Sequence, residues 1–101
     1  MSVKIYDLLG EGPENGVTLK TLVRITQADE RTVRRLIRAE RLQGRLILSD
    51  NESGYFRPSN SAEARRYVRS MNHRAKEIAR VAQAAEAALA AAEGQTEIEG
   101  W

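Results

Sequence analysis

The chain has 101 residues, no cysteine, and 16 basic against 14 acidic residues, a net charge of +2. Its length predicts one small domain with an appended element, and the lack of cysteine excludes disulfide scaffolds and thiolate metal sites. No apolar run reaches the roughly 18 residues of a membrane span, and the N-terminus lacks a secretory-signal pattern, so we expect a cytoplasmic protein without membrane contact.

The first 16 residues predict a short helix followed by a turn. Ser2 can cap this helix, and Val3, Leu9 and either Tyr6 or Ile5 can lie together on one side of it. The segment GEGPENG, residues 10–16, then ends the helix because glycine and proline both interrupt regular structure.

A second helix is predicted after a brief extended piece at Val17-Thr18. Thr18 is a suitable N-cap for the sequence LKTLVRITQ. The residues expected to face the core are Leu19, Leu22, Val23 and Thr26.

A third helix is predicted from Asp29, a good N-cap, to about Leu42. Its expected buried stripe consists of Val33, Leu36 and Ile37. Gln43-Gly44 ends the helix, because glycine readily adopts the left-handed conformation of a helix C-terminus.

The next segment predicts a β-hairpin. The strands are expected at Arg45–Ser49 and Tyr55–Arg57, with a turn at residues 50–54, and Pro58 closes the second strand. Tyr55 and Phe56 point to opposite faces of that strand, and we expect Phe56 to pack on the core.

A long helix is predicted over residues 60–93, with Asn60 and Glu63 forming a capping box and Gly94 stopping it. Apolar residues and alanines recur at the spacing of a coiled coil over about four heptads. We therefore predict a dimerisation seam formed by Val68, Met71, Ala75, Ile78, Ala82, Ala85 and Leu89. Residues 94–101 are expected to form a flexible acidic tail.

Two features of the long helix leave alternatives open. The same apolar stripe fits a helix that folds back on its own domain instead of pairing with a second copy. The charged flanking positions, Arg74 and Glu86, are too few to set the orientation of two paired helices.

Catalytic candidates are scarce. The single histidine, His73, falls at a position away from the heptad seam, and it is the only histidine that could serve as a base beside a serine nucleophile. The GEGPENG segment lacks the Lys-Ser/Thr pair of a phosphate-binding loop, and no side chains have metal-ligand spacing. We predict that the protein is not an enzyme and binds no cofactor, metal or small-molecule ligand.

Basic residues are concentrated in the middle of the chain. Residues 17–60 carry nine positive and five negative charges, whereas residues 1–16 have a net charge of −2. On the third predicted helix, Arg31, Arg34, Arg35 and Arg38 project away from the buried stripe. Arginine can contact both guanine edges and phosphates, so this face indicates an anionic partner; an ordinary solvated helix face is the alternative.

The stretch from Leu19 to Asn60, LKTLVRITQADERTVRRLIRAERLQGRLILSDNESGYFRPSN, combines two helices, a short turn and a glycine-bearing hairpin. This order resembles a winged helix-turn-helix DNA-binding protein, and the GYF strand is similar to that of small prophage-encoded members. The resemblance covers about the first 60 residues. It implies a mostly α fold with a small β-hairpin, a winged helix-turn-helix at residues 1–59 followed by the long C-terminal helix.

The resemblance also implies site residues and a function. The third helix would be the recognition helix in the major groove of double-stranded DNA, with base-reading side chains Arg31, Thr32, Arg34, Arg35 and Arg38. Backbone contacts would come from Lys20, Arg24, Arg45 and Arg57. The hairpin tip carries Glu52 where the family pattern has Lys or Arg.

The function expected from these features is transcription regulation by a sequence-specific DNA-binding homodimer. A homodimer fits because two recognition helices can read a two-fold symmetric site. The alternative is a winged helix that contacts protein, in a phage replication or packaging assembly.

Overall fold

The computed structural model describes residues 3–99, with side chains through Gly94, as a mostly helical chain with one small hairpin. Its regular elements are α1 (Leu19–Thr26), α2 (Glu30–Leu42), β1 (Leu48–Asp50), β2 (Gly54–Phe56) and α3 (Ser61–Glu99). The chain divides into two compact units, one ending at Tyr67 and the other beginning at Val68. The predicted domain boundary at residue 59 therefore lies too early, since the start of α3 belongs to the first unit.

The first predicted helix is a single turn of 3-10 helix, Ile5–Leu8, and a second such turn covers Pro13–Asn15. Ile5 and Leu9 are buried, as expected from the sequence. The predicted cap, Ser2, lies outside the described residues. Glycine at position 10 leaves too little chain for a longer helix, because an isolated short helix gains few internal hydrogen bonds.

Both central helices begin at the predicted caps. The Thr18 hydroxyl accepts a hydrogen bond from the Thr21 N–H at 3.2 Å, and the Asp29 carboxylate accepts one from the Thr32 N–H at 2.7 Å. Between α1 and α2, Gln27 adopts a left-handed conformation with φ of 59°. The chain therefore passes from one helix to the next through only three residues.

The core of the first unit is aliphatic. It is formed by the buried side chains of Ile5, Leu9, Leu22, Val33, Ile37 and Ile47. One predicted member of the α2 stripe is wrong: Leu36 is 40% exposed, and the buried side of α2 continues instead to Glu40, which is 7% exposed. A carboxylate can occupy that place because it is hydrogen-bonded to the 3-10 turn.

The hairpin is shorter than predicted, with Asn51–Ser53 as its loop. Leu48 lies opposite Phe56 and Ser49 opposite Tyr55. Val17 forms a bridge on the other side of β2, exchanging two hydrogen bonds of 2.8 Å with Tyr55. Phe56 is buried, as predicted.

Helix α3 runs from Ser61 to Glu99 and passes through Gly94 without interruption. The helix therefore extends beyond the predicted end at Glu93 as far as Glu99. The flexibility expected of residues 94–101 stays a prediction, and residues 100 and 101 lie outside the described part. The cap at Asn60 is confirmed, since its Oδ1 accepts from the Glu63 N–H at 2.9 Å. The reciprocal bond of the predicted capping box is displaced by one residue, because Glu63 Oε1 accepts from the Ser59 N–H at 2.9 Å and not from the Asn60 N–H. Glycine is tolerated because strong helix formers precede it.

Candidate nucleic-acid interface

The four arginines predicted to read DNA are all exposed on α2: Arg31, Arg34, Arg35 and Arg38. With about 100° between successive residues, they fall within an arc of roughly 100° on the helix. The buried residues Val33, Ile37 and Glu40 lie on the opposite side. We call these four residues the arginine arc, since one face of α2 presents all four guanidinium groups to solvent.

The arginine arc is weakly neutralised by its neighbours. Glu30 lies 3.8 Å from the Arg34 guanidinium, and both side chains are more than half exposed. No other carboxylate of the described residues lies within ion-pair distance of the arc. An exposed pair of this kind has a free energy of about 0–1 kcal/mol, so Arg34 stays available to a stronger partner.

Glu40, which the sequence offers as a partner for these arginines, is used elsewhere. Its two carboxylate oxygens accept hydrogen bonds from the backbone N–H groups of Ile5 at 2.7 Å and Tyr6 at 2.9 Å. These charge-assisted bonds hold the N-terminal 3-10 turn to α2. Sequence reasoning missed this role because the partners lie 35 and 34 residues away.

Thr32 has a different environment from the arginine arc. It is half-buried, and by helical periodicity it lies outside the arc. Its backbone N–H and side chain both hydrogen-bond to Asp29, and these bonds, the side-chain bond first, hold the pKa of that carboxyl below its ordinary value. Thr32 is therefore part of the helix cap.

The predicted backbone-contacting residues divide into two pairs. Lys20 and Arg24 are exposed and lie four residues apart, so they share a face of α1. Arg45 and Arg57 are only half-exposed. Arg45 donates a hydrogen bond to the Gln43 side chain, which leaves its remaining N–H groups for other acceptors.

Arg57 is tied into the fold. Its guanidinium lies over the Tyr6 ring, 5.2 Å from the centroid. Its backbone N–H donates to Gly10 O and its carbonyl accepts from the Gly12 N–H, both at 2.8 Å. The Arg57 Nε is buried and has no hydrogen-bond partner within the described part of the chain. These contacts make Arg57 a link between the N-terminal segment and the hairpin.

Arg41 holds the hairpin and the start of α3 to α2, and its partners could not be identified from the sequence. Its Nε donates to Ile47 O at 2.8 Å, and its Nη2 donates to Ser49 Oγ at 3.2 Å. The same guanidinium lies 5.9 Å from the ring centroids of Tyr55 and Tyr67. One arginine thus joins α2, both sides of the hairpin and the start of α3. No local pattern signals this contact, since the tyrosines are distant in sequence.

The hairpin tip is acidic, as the sequence predicts. The Asp50 carboxylate accepts hydrogen bonds from the N–H groups of Ser53 and Glu52, and the bond from Ser53 contributes most to lowering the pKa of Asp50. Asp50 and Glu52 are both exposed. A tip with this charge repels phosphates.

The predicted seam of α3 is exposed along the second unit. Every residue from Val68 to Glu93 is exposed, including Ile78 at 70%. The pairing of this stripe with a partner helix stays a prediction.

No family model, curated protein or solved structure matches the chain. Within residues 3–99, no helix is both long enough and apolar enough to cross a bilayer. The described residues also contain no group of three or more potential metal ligands. The functional assignment therefore depends on the charge and geometry of the site itself.

Proposed function

We propose that this chain is a winged helix-turn-helix protein that binds double-stranded DNA, with α2 as the recognition helix. The observation that carries the proposal is the arginine arc: four exposed guanidinium groups on one face of a helix, with one weak ion pair among them. Such a face fits the major groove, where arginine pairs with guanine edges and with phosphates.

The arrangement around α2 supports the same proposal. A three-residue turn connects α1 to α2, and Val17 forms an isolated bridge to Tyr55 beside the two-stranded hairpin. Lys20 and Arg24 on α1 are exposed and would contact the DNA backbone. In this proposal Arg45 also contacts the DNA backbone. Arg57 contributes less to DNA binding, because its guanidinium is stacked on the Tyr6 ring.

Self-association through α3 completes the proposed DNA-binding unit. Two copies would present two recognition helices to a two-fold symmetric site. The role proposed for such a dimer is transcription regulation in the cytoplasm, in the manner of the small prophage-encoded proteins that the sequence resembles.

The acidic hairpin tip favours one alternative, a winged helix that contacts another protein. Asp50 and Glu52 would then face basic groups of that protein, as in a phage replication or packaging assembly. Duplex binding separates the two functions, because the alternative requires no affinity for DNA.

The test measures fluorescence anisotropy with labelled duplexes of random sequence. We expect binding at about 50 mM salt and a steep loss of affinity by about 200 mM, because each neutralised phosphate releases counterions. Removing two arginines from the arc, as Arg35→Ala with Arg38→Ala, should weaken binding by about 1–3 kcal/mol per side chain.

The matched control is Lys76→Ala with Arg80→Ala, which removes the same charge from exposed positions on α3 away from the seam. The control should bind duplex within about threefold of the parent, since Lys76 and Arg80 lie outside the arginine arc and Arg80 is already paired with Glu77 at 3.1 Å. Equal losses in the two double variants, or no duplex binding at about 50 mM salt, would exclude the proposed site.

A further inference from the structure

We propose that α3 pairs with α3 of a second copy in antiparallel orientation, in a register centred near residue 80. The inference deepens the self-association in the proposed function, but it does not depend on DNA. Helix α3 is continuous through Gly94, so the paired segment is not limited by a break at that residue. All seam side chains from Val68 to Leu89 are exposed in the single chain.

The charge distribution along α3 favours opposite orientations. Between Val68 and Arg80 the helix carries Arg69, Arg74, Lys76 and Arg80 against Glu77 alone. From residue 81 to residue 99 its charged residues are all glutamates. Parallel helices would place the basic halves together and the acidic halves together. Antiparallel helices place each basic half beside an acidic half, which lowers the electrostatic free energy of the pair.

The seam itself fits a centre at residue 80. In this register, Ile78 of each copy packs against Ala82 of the other, so both central layers combine one large and one small side chain. A parallel pair would instead place Ile78 against Ile78 and Ala82 against Ala82. An alanine-only layer at the centre leaves a void, and such voids are destabilising. The outer layers do not discriminate, because they join Ala75 to Ala85 and Met71 to Leu89 in the antiparallel register and like residues in the parallel one.

Val81 provides an independent reason. It flanks the seam at the g position of the heptad, and its apolar side chain is 69% exposed. In the antiparallel register, g positions meet g positions, so Val81 packs against Val81 of the second copy. In a parallel dimer, the g position meets the e position of the next heptad, and Val81 would face the Glu86 carboxylate.

The other flanking positions agree with this register. Position e meets position e in an antiparallel pair, so Arg65 of one copy lies beside Glu93 of the other, and Asn72 lies beside Glu86. A parallel pair would bring Arg74 beside Ala79 and Glu93 beside Ala88, without any opposite charges. The antiparallel arrangement therefore forms two equivalent ion pairs that the parallel arrangement lacks.

Spin-label distances test the orientation in the full-length chain, which has no native cysteine to interfere. Gln83→Cys and Ala90→Cys occupy the same heptad position, and both sites are exposed. With 1.5 Å rise per residue, antiparallel pairing predicts axial separations of about 9 Å for labels at residue 83 and about 30 Å at residue 90. A third label at Ser70→Cys should also show about 30 Å.

Parallel pairing predicts no axial separation at any of these sites, so equal distances at residues 83 and 90 would overturn the proposal. A monomeric mass by light scattering at the labelling concentration would overturn it as well. Duplex binding is measured on the same variants. If the variants show the two different label separations but do not bind duplex, the proposed DNA function is contradicted and the antiparallel pairing is not.

A charge exchange tests the register. Glu93→Arg should raise the dissociation constant of the dimer by roughly 2- to 10-fold, because two exposed ion pairs become repulsive. Combining Glu93→Arg with Arg65→Glu should restore the parent value. If the double variant keeps the raised dissociation constant, residues 65 and 93 of the two copies are not in contact, and the register centred at residue 80 is overturned.

Discussion

At the scale of single residues, the arginines of α2 and the hairpin differ by their partners. Arg41 is held between two tyrosine rings and two hydrogen-bond acceptors, and Arg57 lies over Tyr6. Arg35 and Arg38 have no comparable contacts and face solvent. Side chains of one type therefore serve the fold in one place and stay available for binding in another, according to whether acceptors and rings surround them.

Glu40 should contribute to stability although it is an acid on a basic helix. Glu40→Ala leaves the N–H groups of Ile5 and Tyr6 without acceptors, and we expect unfolding free energy to fall by about 1–3 kcal/mol. The measurement is urea unfolding followed by near-ultraviolet circular dichroism, since all three tyrosines lie in the first unit.

The matched control is Glu30→Ala on the same helix. It removes only an exposed pair of 3.8 Å and should change the free energy of unfolding by less than about 1 kcal/mol. If both variants lower the free energy of unfolding equally, the Glu40 hydrogen bonds contribute no more to stability than the exposed ion pair of Glu30.

At the scale of elements, the hairpin depends on the segment that precedes α1. Gly54 has φ of 80°, and a Cβ at this position would lie 2.5 Å from Val17 O. That oxygen also accepts the Tyr55 N–H, so it cannot move without breaking the bridge to β2. The sequence indicates a turn glycine here, but the close approach of Val17 is visible only in the folded chain.

Gly54→Ala should therefore lower the free energy of unfolding of the first unit by at least about 2 kcal/mol, from backbone strain together with the displaced bridge. The same urea unfolding measurement applies. Gly94→Ala is the control, because a Cβ there meets nothing within 4 Å and α3 continues through it. This change should raise helix stability by up to about 1 kcal/mol. A harmless Gly54→Ala would contradict the described hairpin.

At the scale of the whole molecule, two exposed surfaces have little intramolecular neutralisation or cover within the described residues: the arginine arc forms one exposed ion pair, between Arg34 and Glu30, and the α3 seam from Val68 to Leu89 is exposed. The arginine arc is cationic, and the α3 seam is apolar. In the proposed function one surface contacts a phosphate-bearing partner and the other contacts a helix, so the two would act together without competing for the same residues.

Ile78→Asp should convert the proposed dimer to a monomer. Each Ile78 side chain contributes about 1.5–3 kcal/mol when it is buried, and two are lost per dimer, so dissociation should increase at least about 100-fold. Light scattering on a sizing column measures the mass. Ser70→Asp, an exposed position outside the seam, should leave the mass unchanged. An unchanged mass for Ile78→Asp would sink the pairing through α3, and a weaker affinity for duplex should accompany dissociation.

The sequence by itself determined the order of elements, their caps and the exposure of the arginine arc. These are local properties. The caps Thr18, Asp29 and Asn60 each accept a hydrogen bond from the backbone N–H three residues later, and helical periodicity separates Arg35 from Val33. The tertiary structure alone decided that Glu40 is buried, that Leu36 is exposed and that Arg41 clamps the hairpin. Those outcomes depend on contacts between segments distant in the chain, and no local pattern encodes which segment will supply the partner.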